Sequence, residues 1–254
     1  MKEFDRLVEV IKILRSKDGC PWDREQTLES LKPCLREEVA ELLEAMEGDV
    51  EEHKGELGDV LMNVVFQADI CEEQGKFNIE DVAHEINEKL IRRHPHVFKE
   101  KNSDISTDEV LVNWDEIKKK EKIHENRKSA IDGVPKYLPA LSKAQKIQKK
   151  ASKVGFDWNE IGKVLDKVYE ELEELKVEIN RKDKEKISDE LGDVLFSIVN
   201  VARFLDVDAT ESLEKTIKKF DRRFRYVEKK CDVEKTSLEE LEKYWQEAKK
   251  EIDL

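Results

Sequence analysis

Apolar residues recur along most of this chain at helical spacing. In LREEVAELLEAM, Leu35, Val39, Leu42, Leu43 and Met46 fall at i, i+4, i+7, i+8 and i+11, a single stripe along an α-helix. ELGDVLMNVVFQADI follows the same rule, and Leu57, Val60, Leu61, Val64 and Val65 are predicted to face inward. The polar stretch EGDVEEHKG between them predicts a turn, so the two helices form an antiparallel hairpin. Further helices are predicted over residues 79–93 and 107–124. The later half repeats the scheme: KVLDKVYEELEELKVEI is amphipathic, RKDKEK is a polar turn, and SDELGDVLFSIVNVARFL returns. ATESLEKTIKKFDRRFRYVEKK and SLEELEKYWQEAKKEI follow. Between the halves, SAIDGVPKYLPAL holds two prolines and a glycine and reads as a linker. The expected architecture is all-α, with two related helical-bundle domains at residues 1–126 and 141–254 and a linker over 127–140. No heptad pattern runs long enough for an extended coiled coil.

Composition narrows this further. Charged residues make up 42% and hydrophobic ones 38%, with only 9 Gly and 5 Pro, which favours helices over a β-sandwich or a parallel sheet. A net charge of −13 argues against a general nucleic-acid-binding surface. A protein this acidic handles polyanions only locally, through a metal ion or a small basic cluster. The four cysteines form no C-x-x-C pair, and no signal peptide or apolar run of membrane length stands out. The expectation is a reduced, cytoplasmic protein without a membrane partner. The abundance of Glu and Lys also fits a heat-adapted source.

The candidate chemistry lies in a duplicated string. ELGDVL occurs at residues 56–61 and again at 190–195. Upstream stand Glu37-Glu38-Val39-Ala40-Glu41 and Glu170-Glu171-Leu172-Glu173-Glu174, both of the form E-E-x-x-E. Glu38 and Glu56 are 18 residues apart, and Glu171 and Glu190 are 19 apart. Residues three apart share a helix face, so Glu38 projects with Glu41 and Glu56 with Asp59; the second copy pairs Glu171 with Glu174 and Glu190 with Asp193. A hairpin brings the pairs face to face at the border of the apolar stripe. Four carboxylates there repel one another unless neutralised, and a hard divalent cation with oxygen ligands, Mg2+ or Mn2+, is the simplest neutraliser. The competing reading of any one E-E-x-x-E is a solvated helix face. Against it, no Lys or Arg lies from 37 to 53 to pair with the acids, and the whole pattern recurs.

A double arginine follows each hairpin, Arg92 and Arg93 in LIRRHPHVF and Arg222 and Arg223 in KFDRRFRYVE. Arginine forks suit phosphate oxygens, and surface ion pairing is the alternative. Lys219, Arg222 and Arg223 span just over one turn and can face one ligand. CPWD and VGFDW open the two repeats and read as aromatic anchors packed into the core at helix starts. His94-Pro95-His96 reads as a turn, and Lys118-Lys119-Lys120 as a solvated helix face.

CPWDREQTLESL, EEVAE, GELGD, RRHPHVF, PALSKAQKIQKKASKVGFDW, KVYEELEE, DELGDVL and KFDRRFRYVE closely resemble the MazG family, nucleoside triphosphate pyrophosphohydrolases of the all-α nucleotide pyrophosphatase superfamily. The resemblance runs over essentially the whole chain. It implies Mg2+-dependent hydrolysis of ribo- and deoxyribonucleoside triphosphates at the α–β linkage, giving monophosphate and pyrophosphate. It also implies helical bundles that assemble as a homodimer. Carried onto this chain, the metal ligands are Glu171, Glu174, Glu190 and Asp193. The nucleotide-binding positions are Lys167, Val168, Tyr169, Glu170 and Glu171; Lys186, Ile187, Ser188 and Asp189; Asp193; Lys219, Phe220, Asp221, Arg222 and Arg223; and Trp245. Trp245 suits stacking on a base or packing. Glu170 or Glu171 is the candidate general base. The second half is expected to be the principal hydrolase. The first keeps Glu38, Glu41, Glu56 and Asp59 as a possible second metal site, but proline ends its basic helix early, leaving a metal-binding or structural counterpart.

Two rivals stay open at this level. One is a pyrophosphohydrolase restricted to dUTP or to modified or damaged nucleotides. The other is a helical scaffold or interaction protein whose acids only bind cations. An orthophosphate-releasing NTPase is discounted, because its G-x-x-x-x-G-K-[ST] loop does not occur.

Overall fold

The computed structural model of the chain describes residues 2–99, 105–119 and 128–252, and no β-strand occurs among them. Backbone contacts divide the chain into two compact units, Met1–His124 and Glu125–Leu254. In the first unit the helices are α1 (Lys2–Arg15), α2 (Pro21–Glu25), α3 (Leu31–Ala45), α4 (Val50–Glu73), α5 (Ile79–Arg93), α6 (Pro95–Phe98) and α7 (Thr107–Lys119). In the second they are α8 (Ala140–Ser152), α9 (Ile161–Arg181), α10 (Lys184–Phe204), α11 (Ala209–Lys230) and α12 (Leu238–Ile252). The predicted helix over 107–124 runs past the described residues, and the side chains of Lys118, Lys119 and Lys120 also lie outside them.

Both hairpin turns are tighter than the polar stretches suggest. Asp49 caps α4 by accepting from the Glu51 N–H, so Glu51 to Gly55 are helical rather than turn. Asp183 does the same for α10 with the Lys186 N–H, while Lys182 ends α9 in the left-handed region at φ 60°. Aspartate is a strong N-cap, and Glu and Lys are good helix formers once the cap is set. Polar composition alone therefore overestimates the length of a turn.

The core of the first unit is Ile11, Leu31, Val65, Phe66 and Ile70, with Phe4, Leu7, Val8, Leu14, Met62 and Ile79 packed around it. Arg15 lies beneath this core, paired to Asp69 at 3.1 Å and to Glu73 at 2.6 Å. In the second unit α10 is central, packing against α9 and α8, and α11 pairs with α12. Val164, Val194, Val199, Val227 and Ala248 are its buried apolar residues.

The predicted inward stripe on the first hairpin needs correction. Val65 is buried, but Val39, Leu43, Met46, Leu57, Leu61 and Val64 are exposed, Leu43 at 60%. Leu191, Leu195 and Ile198 on α10 are likewise exposed. α1 packs against α4 and α8 against α10, and these apolar residues stay exposed among the described residues.

Candidate active site

In the second unit, α9 and α10 bring one carboxylate oxygen each from Glu171, Glu174 and Glu190 within 4.8 Å of one another. Glu171 is the most buried of the three, with 7% of its surface accessible. Burial pushes the Glu190 carboxyl above its ordinary value, and the charges of Glu174, Asp193, Glu171 and Glu178 push it further. Asp193 is therefore an electrostatic neighbour of the trio although it stands outside the tightest grouping. Lys167, one turn before Glu171, places its Nζ 2.7 Å from both Glu170 and Glu171. These two hydrogen bonds, Glu170 first, hold the ammonium well above its ordinary value.

The first unit repeats the geometry with Glu38, Glu56 and Asp59 within the same 4.8 Å, and Glu41 is the member left outside. Burial again raises Glu56, followed by Glu41, Asp59 and Glu38. One difference decides its local chemistry. The position four before Glu38 is Cys34, whose thiol donates to Glu38 Oε1 at 3.3 Å, where the second unit has the Lys167 ammonium. The first site thus lacks the cation that pins the corresponding acid in the second. Each cluster of carboxylate oxygens could hold a divalent metal ion.

The other sequence-predicted residues divide into two groups. Lys186, Ile187, Ser188 and Asp189 lie in the first two turns of α10, near the α9–α10 connection. Phe220, Arg223 and Trp245 gather on the α11–α12 pair. The Phe220 and Trp245 ring centroids are 5.1 Å apart, and the Arg223 guanidinium lies 5.7 Å from the Trp245 ring. Phe220 also stacks on Phe224 at 5.8 Å, while Lys219 and Arg222 are exposed. Asp221 is paired with Arg225 at 2.8 Å, which holds its carboxyl below the ordinary range. Val168 is half-buried, and Tyr169 and Glu170 are exposed on the outer face of α9. In the first unit, His94 alone joins α5 to α6, so Pro95 and His96 of the predicted turn are helical; its Nδ1 lies 2.7 Å from Leu90 O and its ring edge-on to Trp114 at 5.4 Å.

Two predictions about this region fail. VGFDW and CPWD are not core anchors: Phe156 is 81% exposed, Trp158 39% and Trp22 65%. Instead Phe156, Asp157 and Trp158 line a cavity of about 260 Å3 whose wall also includes Lys167, Glu171 and Asp193. Gln148 of α8 and Phe196, Ser197, Asn200 and Arg203 of α10 are also in its wall. Arg203 binds both Asp157 carboxylate oxygens, at 2.9 and 2.6 Å, and donates from Nε to Asn200 Oδ1 at 2.7 Å. Sequence reasoning also missed Glu178. It lies one turn beyond Glu174 on the same face of α9 and is 7% exposed, and Arg181 donates to it at 2.6 Å. Its spacing from Glu171 and Glu174 was the available signal.

The family model of the MazG nucleotide pyrophosphohydrolase domain matches this chain twice, over residues 26–98 and 160–227. The chain belongs to the MazG family. Each matched segment contains one of the acidic hairpins, so both units are MazG domains. The chain is 44% identical to the nucleoside triphosphate pyrophosphohydrolase of Escherichia coli K12 over 100% of both chains. It is 46% identical to the nucleoside triphosphate pyrophosphohydrolase/pyrophosphatase MazG of Thermotoga maritima over 97% of this chain and 95% of that one. Among solved structures, a mazG-related protein from Thermotoga maritima matches 46% of this chain and 99% of its own at 31% identity, with a TM-score of 0.40.

Proposed function

We propose that the chain hydrolyses nucleoside triphosphates, of both ribose and deoxyribose type, to the nucleoside monophosphate and pyrophosphate in an Mg2+-dependent reaction. The reading is carried by one observation: Glu171 belongs at once to the acidic trio and to the wall of the adjoining cavity. A molecule held in that cavity would have its phosphates beside the acids.

Glu171, Glu174, Glu190 and Asp193 would hold Mg2+, with Mn2+ as a substitute, in the second unit. When bound, such an ion supplies charge neutralisation for the triphosphate and a more acidic water. The chain's own contribution is positioning. Lys167 fixes Glu170 and Glu171, and Glu170 or Glu171 would take a proton from water. The Arg222 and Arg223 forks and the Lys219 ammonium offset charge on the triphosphate and on departing pyrophosphate. The first unit acts as a cation-binding counterpart without turnover.

The apolar flanks left open on both hairpins support a homodimer, since a second copy would cover them. The four cysteines are free, which suits the cytoplasm, and no described helix is long and apolar enough to cross a membrane. Glu174→Ala and Asp193→Ala should each abolish metal-dependent pyrophosphate release while the helical circular dichroism stays intact. Glu38→Ala with Glu56→Ala should leave turnover within about twofold. Persisting activity in both second-unit variants would overturn the assignment.

A further inference from the structure

One helical turn to either side of the acids, the first unit departs from the second. Four residues before Glu38 and four after Asp59 it has Cys34 and Asn63, where the second unit has Lys167 and Ser197. Both second-unit side chains are satisfied: the Lys167 ammonium holds Glu170 and Glu171 at 2.7 Å, and Ser197 Oγ donates to Val194 O at 2.8 Å. In the first unit the pair is satisfied only in part. Asn63 is 1% exposed, and its Nδ2 donates to Asp59 O at 3.2 Å and lies 3.8 Å from Cys34 Sγ. The bond to Asp59 O sets the amide orientation, because turning the amide over would oppose two oxygens. Asn63 Oδ1 is then buried without a hydrogen-bond partner, and so is Glu56 Oε2 of the acidic trio. Buried polar atoms are nearly always paired, so two orphaned oxygens at one acidic cluster call for an electropositive partner.

The donor set specifies what kind of partner. Mg2+ is held by oxygen alone, which the carboxylates of the second unit supply. A thiol beside carboxylates suits the borderline ions instead, Zn2+ and Co2+. Cys34 Sγ stands 3.3 Å from Glu38 Oε1. With Zn–S of about 2.3 Å and Zn–O of about 2.1 Å, that separation is the edge spanned by two ligands of one ion at an angle of about 100°. Glu38, Glu56 and Asp59 already bring one oxygen each within 4.8 Å of one another. In the second unit the matching position carries the Lys167 ammonium, which repels a cation rather than binding it.

We propose that the first unit's hairpin is a zinc-class site in which Cys34, as thiolate, joins Glu38, Glu56 and Asp59, with the Asn63 amide oxygen as a further, neutral donor. Binding displaces the thiol proton to solvent, and the bond from the thiol to Glu38 gives way to one bond from each atom to the ion. The proposal rests on the reading of the first unit as a cation-binding counterpart and changes the ion it takes. It makes no demand on turnover in the second unit. The two repeats then sort two metals, a hard one for the chemistry and a thiophilic one that ties α3 to α4.

The test uses the full chain, stripped of metal and titrated with Co2+, which substitutes for Zn2+ in mixed sulfur–oxygen sites and reports a thiolate ligand by a near-ultraviolet charge-transfer band. Wild type is expected to show that band and to lose it when Zn2+ is added, whereas Mg2+ leaves it in place. Cys34→Ser should abolish the band and weaken Zn2+ binding at least about tenfold, with Mg2+ binding within about twofold and circular dichroism unchanged. No band in wild type, or a band that survives in Cys34→Ser, overturns the proposal. A crystal structure of wild type with Zn2+, located by its anomalous scattering, gives a readout that needs no variant. Zinc bonded to Cys34 Sγ supports the proposal, and zinc bonded elsewhere overturns it. Calorimetry separates this failure from that of the broader reading. Co2+ binding that is lost in the double variant Glu38→Gln with Glu56→Gln but shows no band refutes the thiolate alone. Binding that the double variant leaves unchanged refutes the cation-binding counterpart as well.

Discussion

The Asp157–Arg203 pair offers a quantitative handle on how the cavity is held. Its two bonds, 2.9 and 2.6 Å, are charge-assisted and bidentate, and the Arg203 side chain is 9% exposed against 27% for Asp157. Hydrogen bonds to charged groups contribute about 1.5–3 kcal/mol net, and the partial exposure of Asp157 argues for the lower part of that range. A coupling of about 2 kcal/mol is therefore expected between the two side chains. Arg203→Met should cost about 3 kcal/mol in all, since it also deprives Asn200 Oδ1 of its donor. For a domain of this size that lowers the transition of the second unit by about 10 °C. Arg203→Met, Asp157→Ala and the double variant, followed by denaturant unfolding, isolate the pair term, because the Trp158 N–H to Asp157 bond cancels in the cycle. The loop bearing Phe156 and Trp158 loosens in the same variants, so KM should rise with little change in kcat. A coupling below about 0.5 kcal/mol would refute the clamp.

Two further outcomes follow from the same physics. Phe66→Ala should destabilise the first unit by about 3–5 kcal/mol while leaving the kinetic constants of the full chain within about twofold, measured by calorimetry and pyrophosphate release. The raised carboxyls of Glu190 and Glu56 bind their protons more tightly folded than unfolded, so their influence favours folding at low pH. It is lost as pH rises from the ordinary value of 4.5 through the raised ones. Metal-free protein should therefore lose thermal stability across that window. Mg2+ should restore the stability and release protons on binding, readable by calorimetry in buffers of different ionisation heat.

How much was legible beforehand depended on range along the chain. The helices, the paired acids and their duplication follow from spacings of three and four residues, which fix a shared helix face before any packing occurs. Those spacings place Glu171 with Glu174 and Glu190 with Asp193, and the trio needs only a short hairpin to form. Helix starts were misplaced because a single capping aspartate outweighs a run of charge, as at Asp49 and Asp183.

Periodicity by itself determined which helix faces are apolar and which carboxylates stand together. It does not say what covers an apolar face, and Leu43 and Leu61 remain exposed among the described residues. The cavity belongs wholly to tertiary structure. Gln148, Trp158, Glu171 and Asn200 come from three helices and a loop, and only the packing of α8 and α9 on α10 makes them neighbours. The same packing gives two near-identical acidic strings different surroundings. Beside one, Phe66 completes a core; beside the other, Asn200 borders a cavity. A side chain buried by local periodicity can fill space or line it, and the volume left by its neighbours decides which.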